Sequence, residues 1–120
     1  MAATRSRLWL LSIALIIVGA SSCSSVSAPE VRNFDKVAHF FVFGLLATHL
    51  HLSGLTRGKL WLTVLVCSLF GFIDEWHQSF TPGRSVDWTD WVSDTLGALT
   101  ATLCLTRWYL YRHILLFRLL

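Results

Sequence analysis

The sequence predicts an all-α integral membrane protein, a bundle of about four transmembrane helices with short loops, and three observations predict it. The first is composition: of 120 residues, 54% are hydrophobic and only 14% charged, with a mean hydropathy of +0.58. A soluble domain of this length needs more polar residues to cover its surface. The second is segmentation, since four apolar stretches stand out with no strand alternation between them. Each approaches the roughly twenty residues that a helix needs to cross the hydrocarbon core. The third is the placement of Lys and Arg, which sit at the ends of the apolar stretches as membrane topology rules place them.

The stretches run from Leu8 to about Val26, from Val37 to Leu55, from Leu60 to about His77, and from about Trp88 to Thr106. Backbone groups in lipid must pair internally, which makes each a helix. Arg5 and Arg7 precede the first, Arg57 and Lys59 separate the second and third, and Arg107, Arg112 and Arg118 come after the fourth. With alternating helices all three groups share one side, so that side is predicted to be cytoplasmic, along with both termini. Segments 27–36 and 78–87, with Arg32, Lys36 and Arg84, then face outward. The tail "RWYLYRHILLFRLL" is too short to cross again and is expected to lie at the interface, with Trp108 and Tyr109 at headgroup level. The sequence thus divides into 1–33, a first helix or signal segment; 34–106, the membrane domain; and 107–120, a basic amphipathic tail.

The first segment carries a second reading. In "RSRLWLLSIALIIVGASSCSS" a basic start, a short apolar run and small residues before Cys23 match a lipoprotein signal. Cleavage there would leave three spanning helices and a lipid on Cys23, although Ala20 stands where Leu, Val or Ile is usual. An uncleaved first helix is the alternative, and both place segment 27–36 on the outer side. Cys23, Cys67 and Cys104 make neither a disulfide framework nor a zinc spacing. The net charge of +3 forms no basic face, which argues against nucleic acid as a partner.

The acids are the anomaly. "GFIDEWHQSFTPGRSVDWTDWVSD" holds five carboxylates between apolar runs. Leu60 to Ile73 is only fourteen residues, so the third helix must continue through Asp74 and Glu75. Leu96 to Thr106 is eleven, so Asp90 and Asp94 must lie in the outer turns of the fourth. An ionised side chain at membrane depth costs about 2.5–3.5 kcal/mol on insertion scales, less near the interface. The acids must therefore face one another, a cation or water. Spacing agrees: Asp87, Asp90, Asp94, Gly97 and Ala101 share one helical face, and Gly97 with Ala101 gives the small-xxx-small spacing for close helix approach. Asp74 and Gln78 share a face with Gly71 a turn earlier, and Asp35, His39 and Phe43 line up on the second helix. "TPGR" has the chemistry of a type II turn. Helices two, three and four are expected to share an outward-facing polar pocket.

"DKVAHFFVFGLLA" at 35–47 and "DEWHQSFTPGRSVDWTDWVSDTLGAL" at 74–99 resemble the VanZ-like family of small bacterial membrane proteins. Asp35, Lys36, His39, Gly44, Leu46, Asp74, Glu75, Gln78, Phe80, Pro82, Arg84, Asp87, Asp94 and Gly97 carry the resemblance, over about residues 34 to 106. Where this chain has Asp94 the family often has Asn, so an extra negative charge favours a cation partner here. The resemblance implies the bacterial inner membrane, the cell envelope and, through the family's namesake, low-level glycopeptide (teicoplanin) resistance. It implies no defined reaction.

Three readings of the acids compete. Repulsion among Asp35, Asp74, Glu75, Asp87, Asp90 and Asp94 calls for protonation or a cation. A divalent cation on His39, Asp74, Glu75 and Asp87 would make a metal-assisted enzyme for a lipid-linked envelope molecule, with Asp35, His39, Glu75 and Asp87 as catalytic candidates. A structural plug would instead pair Arg84 with Asp87 or Glu75 and Lys36 with Asp74, and Asp35 would set the tautomer of His39. A non-catalytic binder or assembly subunit would use Lys36, Asp74, Gln78, Arg84 and Asp94 to hold an envelope lipid or lipid-linked sugar. The tryptophans form an interfacial belt, of which Trp76 and Trp91 could reach the pocket mouth.

Overall fold

A computed structural model describes residues 1–23 and 33–108, together with 113, 114 and 117. Four helices succeed one another: α1 (Ala2–Ser21), α2 (Phe34–Leu52), α3 (Leu60–Gln78) and α4 (Trp88–Arg107). No strand occurs among the described residues. The expected interfacial tail helix falls mostly on residues outside those described.

The helix ends obey local chemistry. α1 begins six residues before the apolar run, because Arg5 and Arg7 are good helix formers and no Pro or Gly interrupts them. α2 begins at Phe34, after Asn33 in the left-handed conformation (φ 63°), which puts Asp35 and Lys36 in its first turn. α3 and α4 start and stop within about one residue of the expected positions. Between them Thr81–Pro82–Gly83–Arg84 closes with the Arg84 amide donating to the Thr81 carbonyl at 3.1 Å, and Gly83 takes φ 79°. That is the expected type II turn, whose third position needs the freedom of glycine. α4 is capped by Asp87, whose carboxylate accepts from the Thr89 amide at 2.9 Å.

The bundle runs up and down. The end of α1 meets the end of α3, where the Ser21 hydroxyl donates to Asp74, and the start of α2 meets the start of α4 through Lys36 and Asp90. At the opposite end Arg7 Nε donates to the Ser53 carbonyl beyond α2, and Thr56 lies 2.8 Å from Thr63 near the start of α3. All the carboxylates of the helices and of the α3–α4 turn therefore gather at one end. Arg7, Arg57 and Lys59 gather at the other.

α2 packs against all three other helices and lies closest to α4. Gly97 makes this approach: a Cβ added there would stand 2.1 Å from the Phe40 carbonyl oxygen, while Gly44 faces Gly97 and Ala101. The small-residue face expected of the fourth helix is thus its contact with α2. Ile17, Phe43, Leu46, Ala47, Leu50, Cys67 and Ala98 fill the core. Large apolar side chains point outward instead, and Leu15, Phe41, Leu45, Leu69 and Ile73 are each more than half exposed. α1 and α3 are long and apolar enough to cross a membrane by length and composition. α2, with Asp35 and Lys36 in its first turn, and α4, with Asp90, Asp94 and Arg107, fall short of the same measure.

Candidate functional site

The acid end is built from the first turns of α2 and α4 and the last turn of α3. Lys36 lies at its rim. Its ammonium donates to Asp35, Asp87 and Asp90, each at 3.0 Å. Asp87 thus caps α4, accepts from the Thr89 hydroxyl and amide, and pairs with Lys36, which together hold its carboxyl down at about 2.

One turn deeper, His39 Nδ1 donates to Asp94 Oδ1 at 2.7 Å, and its Nε2 lies 3.7 Å from Asp90 Oδ2. Asp94 is fully buried, and its second oxygen has no partner among the described residues. Gly71 on α3 makes room for it, since a Cβ there would come within 2.8 Å of Asp94 Oδ2. Glu75 is also fully buried. Its Oε2 accepts from the Asp87 amide at 3.0 Å, and its Oε1 has no partner among the described residues. An ionised oxygen left unpaired in the interior is costly, so this arrangement is not what charge pairing alone would select.

Several expected contacts are replaced by others. Lys36 pairs with Asp35, Asp87 and Asp90 rather than Asp74, because it and Asp74 face different neighbours. Asp74 instead accepts from Ser21 at 2.5 Å and from Gln78 Nε2 at 3.1 Å, a neutral set that closes α1 against α3. Arg84 pairs with no acid among the described residues; its Nη1 donates to the Ala20 and Cys23 carbonyls at 3.1 and 3.4 Å, tying the turn to the end of α1. The side chain that fixes the His39 ring is Asp94, from the neighbouring helix, not Asp35 on its own. Trp91 turns toward α3, donating to the Ser68 carbonyl at 3.0 Å, and Trp76 packs on Phe80. His77 lies 3.1 Å from the Ser22 hydroxyl, away from the cluster.

The candidates thus divide. Asp35, Lys36, His39, Glu75, Asp87 and Asp94 come together, while Asp74, Gln78 and Arg84 form the α1-facing side. Asp90 is the residue that sequence reasoning placed in the acidic face but left out of the candidate site. It touches both Lys36 and His39, and its position between the capping Asp87 and the buried Asp94 on one helical face was the available signal. Ligand atoms from His39, Glu75 and Asp90 lie within 4.8 Å of one another, as do those from Asp35, Asp87 and Asp90. Beside the cluster a cavity of about 350 Å³ is walled by Ile16, Val42 and Phe43 and by the polar His39, Asp74 and Arg84.

Apart from Asp90, the charged and histidine residues of the cluster are among those that carried the resemblance, and residues 3–112 match the VanZ/LLP1 family. The chain belongs to the VanZ-like family. The match takes in α1 as well as the 34–106 region. A relative from the fission yeast Schizosaccharomyces pombe, an uncharacterized protein, is 38% identical over 104 residues, 84% of this chain. The matching stretch spans 64% of that relative's length. The family therefore extends beyond bacteria. No solved structure matches this chain.

Proposed function

We propose that this VanZ-like protein crosses the bacterial inner membrane four times, with both termini cytoplasmic, and binds the polar part of a membrane-borne envelope molecule at the acid end of α2, α3 and α4. The observation that carries this reading is the double position of His39, which lines the cavity and also stands inside the carboxylate cluster. An apolar wall of Ile16, Val42 and Phe43 beside His39 and Arg84 suits an amphiphile, with its chain toward the lipid-depth side and its headgroup at the cluster. The outward-facing Leu, Phe and Ile side chains fit lipid around the bundle. Asp90 and Asp94 on α4 are buried against α2 residues, which is how intramembrane carboxylates are accommodated. Arg7, Arg57 and Lys59 at the far end support a cytoplasmic position for that end and an outward one for the cluster.

The same reading keeps α1 as a retained helix. Ile17 lies in the core, Ser21 bonds Asp74, and Arg84 holds the Ala20 and Cys23 carbonyls. Cleavage before Cys23 would remove the first three of these partners. Labelled palmitate should therefore not enter the protein, and incorporation that disappears in Cys23→Ala would establish the lipid-anchored form instead.

Two measurements test the proposal. A reporter active only in the cytoplasm should be silent when fused at Pro82 and active at the C-terminus; the reverse pattern overturns the orientation. A host whose teicoplanin susceptibility changes on expression of the protein should lose that change with Glu75→Gln plus Asp90→Asn, at unaltered membrane level. Undiminished effect in the double variant removes the binding role of the cluster. The teicoplanin readout comes from the family resemblance, and the choice of residues comes from the geometry.

A further inference from the structure

Each of three side chains at the acid end has one heteroatom committed to a protein partner and one left over. His39 gives Nδ1 to Asp94 at 2.7 Å and keeps Nε2. Asp90 gives Oδ1 to Lys36 at 3.0 Å and keeps Oδ2, 3.7 Å from that Nε2. Glu75 gives Oε2 to the Asp87 amide at 3.0 Å and keeps Oε1, buried and without a partner among the described residues. We propose that His39 Nε2, Glu75 and Asp90 bind one divalent transition-metal ion of the Zn²⁺ class, with Asp94 as the residue that positions the imidazole. This rests on the ligand-binding reading of the same cluster and adds an ion to it.

The geometry is close to what such an ion requires. Zn²⁺ holds imidazole nitrogen and carboxylate oxygen at about 2.0–2.2 Å, so ligand atoms around it lie about 3–4 Å apart. The three groups stand within 4.8 Å of one another, and small rotamer shifts close the difference. One nitrogen and two oxygens suit zinc or manganese better than calcium, which takes six or more oxygens. Two carboxylates balance the charge of the ion. Three protein ligands leave a fourth position open, the ligand number of hydrolytic zinc sites. Asp94 accepting from the far ring nitrogen completes the carboxylate–histidine–metal arrangement, which fixes the tautomer so that Nε2 is the unprotonated donor.

The adjacent group provides an internal contrast. Asp35, Asp87 and Asp90 are equally close, but the Lys36 ammonium already lies 3.0 Å from all three. That group has its cation within the chain. The His39 group meets Lys36 only through Asp90 Oδ1; no lysine or arginine among the described residues pairs with Glu75, and its buried oxygen is what such an ion would satisfy.

The test is Co²⁺ titration of the full chain, purified in detergent and stripped with a chelator, read by visible d–d absorption. The wild type should take up about one equivalent with an absorption that Zn²⁺ abolishes. Asp94→Asn should weaken uptake by about 10–100-fold and shift the band, because the ring loses its fixed orientation. Glu75→Gln and His39→Gln should weaken it further, while His77→Gln, at a histidine away from the cluster, should leave it unchanged. A wild type without a saturable band, or a Glu75→Gln protein that binds as the wild type does, overturns the site. Should a variant fail to accumulate, the wild-type titration decides alone. Loss of the teicoplanin effect in the Glu75→Gln, Asp90→Asn protein, with no cobalt band in the wild type, would sink the metal and leave the binding site standing. A wild-type cobalt band with an undiminished teicoplanin effect in that double variant would do the opposite.

Discussion

Two groups of three side chains share Asp90 and differ in what lies among them. In the outer group Lys36 bridges Asp35, Asp87 and Asp90, of which Asp35 and Asp87 are well exposed and Asp90 is buried. In the inner group of His39, Glu75 and Asp90 the lysine reaches only Asp90, and Glu75 is fully buried with one oxygen unpartnered among the described residues. The outer group is a finished ion-pair network, of the kind that fixes helix register at a membrane boundary. The inner group keeps unpaired capacity where capacity costs most. Acid content is the same in kind; what separates the two groups is how fully the chain supplies the counter-charge.

Both groups depend on α2 and α4 lying nearly in backbone contact, so the largest effect is expected at Gly97. In Gly97→Ala the new methyl would meet the Phe40 carbonyl oxygen at 2.1 Å, against the backbone itself. The helices must separate, costing about 1–3 kcal/mol or more and drawing Lys36 and His39 away from their acids together. Membrane level and cobalt uptake should fall in parallel. A stable Gly97→Ala protein with normal uptake would show that the α2–α4 approach does not assemble the groups.

The next effect is at Lys36, where Lys36→Gln converts the outer group into a second copy of the inner problem. Three carboxylates then lose their cation, and about 1–3 kcal/mol should be lost, between the values for surface and buried pairs. Millimolar Mg²⁺ or Ca²⁺ should recover part of that loss in thermal unfolding, since oxygen-only sites favour those ions. No cation dependence would mean that the outer group needs only proximity, not charge. A smaller effect is expected at Arg84. Its guanidinium donates to two carbonyls of the α1 end, so Arg84→Ala should cost about 1 kcal/mol, as a lost hydrogen bond does, and leave cobalt uptake intact. A large fall in uptake would show that Arg84 reaches the cluster after all.

How much of this was legible depends on the range of the forces. The four helices, the type II turn and the small-residue face of α4 are encoded locally, in apolar run length, in Pro82–Gly83 and in the spacing of Gly97 and Ala101. The gathering of acids at one end was legible too, because carboxylates set between apolar runs have to face one another, a cation or water. Pairing within that end was not. Lys36 chooses among acids on three helices by helix rotation, which sequence spacing does not report, so it took Asp87 and Asp90 over Asp74. Asp94 orienting His39 and Arg84 turning to α1 are likewise contacts across 55 and 64 positions. α1 itself was the largest omission from the site. As a mere anchor it would have no reason to meet Asp74, yet Ser21 closes on that carboxylate and neutral donors satisfy it.

The mildest change is expected at Asp35, and it bears most directly on the separation of the two groups. Asp35 is the neighbour of Lys36 in the chain, its side chain is 48% exposed, and water competes for its charge. Asp35→Asn keeps the shape, leaves Lys36 paired with Asp87 and Asp90, and removes only a screened interaction worth about 0–1 kcal/mol. Thermal stability, cobalt uptake and the teicoplanin effect should therefore stay close to wild type, whereas Glu75→Gln keeps stability and loses the other two. The family resemblance includes both residues, so resemblance alone predicts no such difference; burial and counter-charge do. If Asp35→Asn loses cobalt uptake as fully as Glu75→Gln, the outer and inner groups act as a single site through Asp90, and Lys36 belongs to it as a ligand-facing charge rather than as the counter-ion of a separate network.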